Sequence, residues 1–530
     1  MIERPDVPRS TFQNHWTRKT TFNASDLVPI LCDEILPGDH MRYSVTALIR
    51  MATPLFPIFD NQKVCTFFFF VPARLVWNNW VRFMGEQDSP ADSIAYTIPQ
   101  VVSAANGFPA NTIYDHFGVP VVGQTGVGNT VSINALPLRA YNLIFNDWFR
   151  DQNLSNSQAV SETSNGPDPV ANYSLLQRAK QHDYFTSALP WPQKFTATTI
   201  PFTGTAPIIG LGTKAGIVPG AGVTTIWEAG ASASTTYPFE SPSSAAATHY
   251  VRFANGGAVG AANTPQVFAN LAAAAGISLN QLRQTWMIQQ LLERDARGGS
   301  RYVESILAHF GVRSPDYRLQ RPEYIGGGST PLTTTPVAQT APAVSPAIVG
   351  ALGAATTGVA QHAASYAATE HGYIIGLINI QTDLSYQQGL HKMWTRSVRT
   401  DFYYPSLAHL GEQVVTTGEI YHVGSAAADN AVFGYQERWQ EYRVRMSEVT
   451  GLFRSTTAGT IDVWHFAEKF AAAPTLGSTF ITDQGKTIIQ RNVALGASSL
   501  AQQYLADIDY HRTAVRPLPV YGIPSTIGRF

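Results

Sequence analysis

The block with the most distinctive side-chain chemistry covers residues 293–328, where arginine is mixed with tyrosine, phenylalanine and glycine: ERDARGGSRYVESILAHFGVRSPDYRLQRPEYIGGG. A guanidinium group can pair with a carboxylate or a phosphate through two hydrogen bonds, and it can also stack on an aromatic ring. Arginine combined with aromatic residues is typical of protein–protein contacts. Residues 76–83 contribute two tryptophans of the same character. The predicted contact residues are Arg294, Arg297, Arg301, Arg318, Arg321, Trp77 and Trp80.

Basic and aromatic residues are also interleaved near both ends of the chain. Unpaired bases stack on aromatic rings, and basic side chains follow the phosphate backbone. Ordinary packing within or between protein chains would account for the same residues, so both interpretations stay open. The residues predicted to contact nucleic acid are Arg9, Trp16, Arg18, Lys19, Arg512 and Arg516.

Catalytic patterns are missing from the sequence. Its 13 histidines contain no HExxH pair, and none of them clusters with a cysteine. Gly485-Lys486-Thr487 resembles the end of a phosphate-binding loop, but Phe480 occupies the position of the upstream glycine that such a loop requires. No GxSxG elbow occurs. We predict that the chain is not an enzyme and binds no cofactor or catalytic metal, although its carboxylates leave open a divalent cation at an interface.

The composition indicates that much of the surface is covered by other molecules. Charged residues make up 14% of the 530 residues, against roughly 25% in ordinary soluble domains. Arginine outnumbers lysine 28 to 8, and interfaces enrich arginine over lysine, although genomic base composition would produce the same bias. The net charge of −1 restricts any contact with nucleic acid to a local face.

The cysteines and the hydropathy pattern suggest where the protein is made. Cys32 and Cys65 are the only cysteines, too few to staple a chain of this length, and we predict two packed thiols in a reducing compartment. No apolar run approaches the roughly 20 residues that span a bilayer, and the N-terminus is too polar for a signal peptide. These features favour synthesis in a cytoplasm.

The pattern of elements predicts an antiparallel barrel or sandwich with large insertions. Strand signals occur at 42–51, 64–71, 372–384, 413–423 and 442–446, and amphipathic helices are expected at 134–154 and 278–297. Residues 195–277 and 330–368 are rich in Gly, Ala, Thr and Ser and are predicted as loops. The polar residues 1–26 are predicted as an extended arm. The predicted strands and helices do not alternate along the chain as they do in proteins with a parallel sheet.

Several blocks of sequence resemble the major capsid protein of gokushoviruses, which are microviruses, small icosahedral bacteriophages with single-stranded DNA. The arginine-rich block 293–328 is one of them. The others run in one order through nearly the whole chain: LPGD at 36–39, FFFFVPAR at 67–74, RAYNLIFNDWFRDQNL at 139–154, DYFTSALPWPQK at 183–194, EHGYIIGL at 370–377, DFYYPSLAHLGEQ at 401–413, FGYQERWQEYR at 433–443 and VWHFAEKF at 463–470.

The resemblance implies an all-β-dominated fold, an eight-stranded antiparallel jelly roll with long loop insertions and a few α-helices. It also implies self-assembly into a T=1 icosahedral shell of sixty copies around a circular single-stranded DNA genome. The virion would be assembled in the cytoplasm of the bacterial host. Implied partners are other copies of the chain, the DNA, a small basic DNA-binding virion protein, a pilot protein and a host receptor.

The same resemblance divides the chain into an N-terminal arm at 1–26, a shell domain at 27–194 and 278–530, and an insertion at 195–277. The insertion is expected to form a protrusion at the three-fold axes and to contribute to host attachment. Two other functions fit a β-sandwich: a carbohydrate-binding or adhesin module, and a polysaccharide-active enzyme. Isometric particles in an electron micrograph of the purified protein would favour the capsid alone.

Overall fold

The computed structural model describes residues 8–87, 89–91, 95–195, 208–209, 268–269, 279–298, 304, 307–309, 320–338, 352–494 and 502–521. The chain divides into two compact units, one made of Met1–Pro192 with Ser300–Phe530 and the other of Gln193–Gly299. The larger unit contains a single eight-stranded sheet. Its strands are β1 (Ser10–Phe22), β2 (Val28–Ile35), β3 (His40–Met51), β4 (Gln62–Pro72), β9 (Glu323–Ala338), β10 (Leu352–Ala367), β11 (Gly372–Thr382) and β14 (Tyr504–Arg516).

The strand order of this sheet is that of a jelly roll. The strands follow one another as β1-β14-β3-β10-β9-β4-β11-β2, and every pair is antiparallel. If these eight strands are numbered in chain order, one half of the sheet contains the first, eighth, third and sixth strands. The other half contains the fifth, fourth, seventh and second strands. Two interlocked four-stranded halves of this kind define the viral jelly roll, so the predicted fold class is confirmed.

The aromatic run in β4 shows why this strand lies at the centre of the fold. Phe68 and Phe70 pack into one hydrophobic cluster, between the two halves of the sheet, while Phe69 and Val71 pack into a second cluster on the other face. Successive side chains of a strand point to opposite faces, and both faces are covered here. The continuous apolar run therefore predicted its burial correctly.

Two long connections carry the remaining elements of the described residues. The connection between β4 and β9 packs against strands of the sheet in the second hydrophobic cluster, and residues of both connections form a third. The short strands are β5 (Gln100–Val102), β6 (Ser132–Asn134), β7 (Ile208–Ile209), β8 (Phe268–Ala269), β12 (Glu412–Thr416) and β13 (Val432–Glu437). The helices are α1 (Ala73–Val76), α2 (Trp80–Phe83), α3 (Ile113–His116), α4 (Leu136–Ile144), α5 (Leu279–Arg297), α6 (Thr417–Ile420), α7 (Ala426–Asp429), α8 (Ser478–Ile481) and α9 (Gly485–Gln490).

Both predicted amphipathic helices are present. Helix α4 continues into one π-helical turn at Phe145–Phe149, and α5 has the predicted C-terminal end. Helix α5 belongs to the smaller unit, although the sequence interpretation assigned it to the shell domain. None of the helices in the described ranges is both long enough and apolar enough to cross a membrane.

The loop predicted at 330–368 is wrong, because its described residues belong to the long strands β9 and β10. The Gly-, Ala-, Thr- and Ser-rich composition of 330–368 was interpreted as a loop signal. Two glycines of β9 just before this segment permit close packing of the strands. Gly327 has φ +143°, and a Cβ atom at this position would lie 2.2 Å from the carbonyl oxygen of Thr66. A Cβ at Gly326 would lie 2.4 Å from the carbonyl oxygen of Ala363. Only glycine allows β9 to approach both neighbouring strands this closely.

Two further segments differ from the sequence predictions. The expected extended arm is strand β1 over Ser10–Phe22, fully paired with β14. The strand expected at 442–446 is absent, and a 3-10 turn at Gln440–Tyr442 ends where it should begin. Strand β1 forms because it pairs with β14, which lies almost five hundred residues away in the sequence. No local pattern reveals that pairing.

Candidate functional site

Strands β1 and β14 bring the two ends of the described chain together. Asn14 lies opposite Arg512, and Ser10 lies opposite Arg516. The six residues predicted to contact nucleic acid therefore lie at one edge of the sheet, although they are separated by hundreds of positions in sequence. They do not share a face, because neighbouring positions of a strand point to opposite sides.

Three of the predicted nucleic-acid residues hold the edge strand β2 in place. Arg18 donates to the carbonyl oxygen of Ile30 at 2.8 Å, and Arg512 pairs with Asp33 at 2.8 Å. Arg516 pairs with Asp39, a residue of the turn after β2. Charge-assisted hydrogen bonds of this kind are among the stronger ones in proteins. These guanidinium groups thus have a structural role, closing the two edges of the sheet toward each other.

Trp16 takes part in the same closure. Its ring is stacked on Tyr510 with the centroids 5.0 Å apart, and the guanidinium of Arg512 lies 5.4 Å from its ring centroid. The hydroxyl of Tyr510 in turn donates to the carbonyl oxygen of Ile30 at 2.8 Å. Trp16 is consequently a packed residue of the sheet edge, with one ring face already occupied.

Lys19 lies on the opposite face of the sheet, which points outward. Its side chain is 76% exposed, and its ammonium pairs with Asp507 at 2.9 Å. Two arginines of β3, Arg42 and Arg50, are exposed on the same face. Lys19 and Arg50 line a groove of about 610 Å³. We call Lys19, Arg42 and Arg50 the outward basic face.

The sequence analysis missed Arg42 and Arg50, although their signal was present. Both belong to the predicted strand 42–51, where alternate residues are apolar. Strict alternation assigns these two arginines to the solvent face of the strand. Arg9 precedes β1, is exposed and lies over the turn at Gly38.

Of the arginine block, the structure describes three of the predicted contact residues. Arg294 and Arg297 are exposed near the end of α5, while Arg301 and Arg318 lie outside the described residues. Arg321 stacks on Trp148 with its Cζ atom 5.6 Å from the ring centroid. The indole nitrogen of Trp148 donates to Pro322 at 2.9 Å.

Trp148 and Tyr324 are 42% and 43% exposed, and their ring centroids are 6.3 Å apart. We call Trp148, Arg321 and Tyr324 the Arg321 patch. An exposed guanidinium next to two exposed aromatic rings has the composition of an interface core. The arginine-rich block thus contributes Arg321 and Tyr324 to an exposed patch, and its role as a contact surface stays a prediction.

The prediction that Trp77 and Trp80 form a contact surface is wrong. Trp77 has no exposed area, and Trp80 is 8% exposed. Both belong to the second hydrophobic cluster, and the indole nitrogen of Trp77 donates to Asn165 at 3.0 Å. A side chain that is buried in its own chain cannot contact a neighbour. The short helical turns α1 and α2 direct these rings inward.

A second surface of arginine and aromatic residues lies in the connection between β11 and β14, and the sequence analysis did not assign it. Trp394 is 71% exposed, and Phe402 and Tyr403 are 50% and 47% exposed. Arg396 lies beneath them, with its Cζ atom 4.3 Å from the ring centroid of Tyr442, but its side chain is only 9% exposed and pairs with Glu441 at 2.8 Å. We call Trp394, Arg396, Phe402, Tyr403 and Tyr442 the Trp394 patch. The blocks 401–413 and 433–443 contain the same mixture of arginine and aromatic residues as the arginine-rich block. That mixture could have predicted this surface from the sequence.

Buried ionisable groups lie inside the larger unit, away from these surfaces. Burial raises the pKa of Asp26 from 3.8 to about 6, an effect that Lys486 and hydrogen bonds from Gln177 and Asn23 partly oppose. Burial also raises the pKa of Glu468, which Lys180 opposes through an ion pair of 2.5 Å. These carboxyl groups bear on stability rather than on contacts with other molecules.

Comparisons with known proteins indicate the same class of protein as the jelly-roll fold. The family model described as capsid protein (F protein) matches residues 1–526. Capsid protein VP1 of Bdellovibrio phage phiMH2K is 45% identical over 540 residues, covering 98% of this chain and 96% of the relative. Capsid protein VP1 of Chlamydia phage 1 is 38% identical, covering 98% and 96%. Capsid protein VP1 of Spiroplasma virus 4 is 36% identical, covering 99% and 96%.

Proposed function

This chain belongs to the family of phage capsid proteins (F protein), and on that premise we propose that sixty copies form a T=1 icosahedral shell around a circular single-stranded DNA genome. The family and the named relatives are structural proteins. The chain is accordingly a major capsid protein, a component of the virion that assembles with copies of itself, and not an enzyme.

The observation that best supports this assembly is that a single chain exposes several aromatic surfaces. Besides the Arg321 patch and the Trp394 patch, helix α5 exposes Trp286 and Met287, each at 63%. Large exposed apolar side chains next to arginine mark protein–protein contact sites. A shell subunit needs several such surfaces because it meets several neighbours, and closure depends on repeated rotational contacts.

Electron microscopy and sedimentation of the purified chain test this assembly. We expect closed isometric particles of one small diameter, with a mass of sixty chains. Assembly should be sensitive to protein concentration because many modest contacts act together. A chain that stays monomeric at every concentration and ionic strength would contradict the proposal, and particles of another copy number would contradict the T=1 geometry alone.

The outward basic face supports contact with the genome. Arg42 and Arg50 are exposed, and the guanidinium groups of such residues can bind phosphates. Lys19 would have to leave its pair with Asp507 to add a third cation, and Arg9 is exposed near the strand end. Four of the predicted DNA contacts could form only if the side chains left their present partners within the chain: Trp16, Arg18, Arg512 and Arg516. We therefore propose that the outward basic face is the primary contact with DNA.

The DNA content of particles formed by the double variant Arg42→Ala/Arg50→Ala tests the genome contact. We expect particles with a lower ratio of nucleic acid to protein, and weaker retention of DNA as salt increases. Arg445→Ala is the matched control, since the Arg445 side chain is 80% exposed and pairs with Glu448, three residues further along the chain, at 3.3 Å. Equal DNA content in both variants would reject this face as the contact.

Host attachment is proposed for the insertion at 195–277. Strands β7 and β8 pair with each other, Ile208 opposite Ala269, so residues 210–267 begin and end at neighbouring positions. A segment of this kind can be replaced by a short linker without displacing the rest of the chain. We expect a variant with that replacement to form particles that no longer adsorb to host cells. Normal adsorption would contradict the attachment role.

Other partners and the site of assembly complete the proposal. A small basic DNA-binding protein and a pilot protein would join the particle, and assembly would take place in the host cytoplasm. The net charge of −1 supports the basic partner, because the chain by itself neutralises little of the genome charge. Mass spectrometry of purified virions tests both partners, and virions containing this chain alone would contradict them.

A further inference from the structure

Two histidines and an aspartate form a cluster on the outward face of β1 and β14. His15 and His511 lie directly opposite each other in the ladder, and their rings are stacked with the centroids 4.4 Å apart. Asp509 is two positions before His511 on the same strand, so its side chain points to the same face. The three residues thus converge from the first and the last strand of the sheet.

The atoms that could bind a cation are close together. The Nε2 atom of His15 lies 2.5 Å from one carboxylate oxygen of Asp509, and Nε2 of His511 lies 3.1 Å from the other. One ligand atom from each residue lies within 4.8 Å of the other two. The side chains of His15 and His511 are 59% and 62% exposed. A cation can therefore reach the cluster from solvent.

The geometry points to a binding site for a divalent transition-metal ion of the zinc, cobalt or nickel type at His15, Asp509 and His511. Imidazole nitrogens suit these ions, whereas calcium and magnesium prefer oxygen ligands alone. Two histidines and a carboxylate are a known three-residue ligand set for zinc, with water completing the tetrahedron. The ion would replace the direct contacts between the imidazoles and Asp509, with each neutral imidazole binding it through an unprotonated Nε2 and keeping its proton on Nδ1.

Such an ion would join the first strand of the sheet to the last one. Strand β1 is an edge strand with one ladder partner, β14, and side-chain contacts such as the stacking of Trp16 on Tyr510 already add to its backbone hydrogen bonds. The sequence analysis predicted no metal site because His15 and Asp509 are 494 positions apart. The ligand set exists only because β1 pairs with β14. This pairing lies within one chain and does not depend on the proposed T=1 shell.

Metal titration of the full-length, untagged chain tests this site after treatment with a chelator. We expect one Co²⁺ ion per chain with the absorption bands of a tetrahedral complex, displacement by Zn²⁺, and a higher melting temperature with Zn²⁺ present. His15→Ala and Asp509→Asn should each weaken binding more than about tenfold. Binding should also weaken on acidification, because protons compete for the imidazoles.

His40→Ala is the matched control. His40 is an exposed histidine on the same face of β3 and lies outside the cluster, so this variant should bind Co²⁺ as the unaltered chain does. Circular dichroism confirms that each variant is folded. Absence of binding up to about 1 mM, a range typical of weak surface sites, would overturn the proposal. So would equal affinity in His15→Ala and His40→Ala.

Discussion

Arg139 and Asp168 form a bidentate ion pair inside the larger unit. Nε and Nη2 of the arginine each lie 2.7 Å from a carboxylate oxygen, and the two side chains are 0% and 1% exposed. The remaining guanidinium nitrogen and Nη2 also donate to the carbonyl oxygens of Val76 and Ser164. The pair joins helix α4 to the chain segments before and after it.

Removal of one partner should therefore destabilise the protein strongly. We expect Asp168→Asn to lower the free energy of unfolding by about 3–5 kcal/mol, because the guanidinium is left buried without a counter-charge. Glu448→Gln removes an exposed ion pair of 3.3 Å and should cost less than about 1 kcal/mol. Urea denaturation of the unassembled chain measures both, and similar losses would contradict the role assigned to burial.

Replacement of Arg321 should affect assembly rather than folding. Arg321 is exposed and stacks on Trp148, so Arg321→Ala should change the free energy of unfolding by no more than about 0.5 kcal/mol. Particle yield in sedimentation should fall because the patch loses its guanidinium group. Arg445→Ala is the control and should give normal yield. Normal yield from Arg321→Ala would remove this patch from the shell contacts.

Two tryptophans of opposite exposure should respond in opposite ways. Trp77→Ala should cost about 3–5 kcal/mol of folding free energy, because it leaves a cavity in the second hydrophobic cluster. Trp394→Ala should leave folding nearly unchanged, since the side chain is 71% exposed, and should reduce particle yield. Urea denaturation and sedimentation of the two variants separate these effects. A large loss of stability in Trp394→Ala would show that its exposure has been misjudged.

The raised pKa of Asp26 predicts a stability that depends on pH. Because burial raises this pKa from 3.8 to about 6, the folded chain binds more protons than the unfolded chain between these values. Stability should fall as the pH rises from about 4 through 6. Asp26→Asn should be more stable than the unaltered chain at pH 8 by on the order of 2 kcal/mol, and nearly equal to it at pH 4. A difference that does not vary with pH would contradict this explanation.

Local patterns in the sequence were sufficient for elements that depend on nearby residues. The three- and four-residue spacing of apolar side chains predicted α4, and the continuous aromatic run predicted that both faces of β4 are buried. The mixture of arginine with aromatics predicted surfaces such as the Arg321 patch. The resemblance of several sequence blocks also indicated the capsid family, which the family match confirms, and the jelly roll, which the strand order confirms.

Contacts between distant segments could not be predicted in this way. Trp77 and Trp394 have the same chemistry in the sequence, yet one is buried and the other is exposed, because packing of the insertions covers only the first. Arg512 has the composition expected of a phosphate ligand, but it binds Asp33, more than four hundred residues away. The Thr-, Ala- and Gly-rich composition of residues 330–368 indicated a loop, whereas pairing with neighbouring strands makes most of their described part the strands β9 and β10.

Apolar segments, charged side chains and the resemblance to a family could all be identified before the structure, because these properties reside in single residues and short windows of sequence. The tertiary structure alone decided that His15 meets His511 and that Arg42 and Arg50 share a face with Lys19. Strand pairing joins positions without regard to their separation along the chain, so its outcome depends on the free energy of the whole sheet.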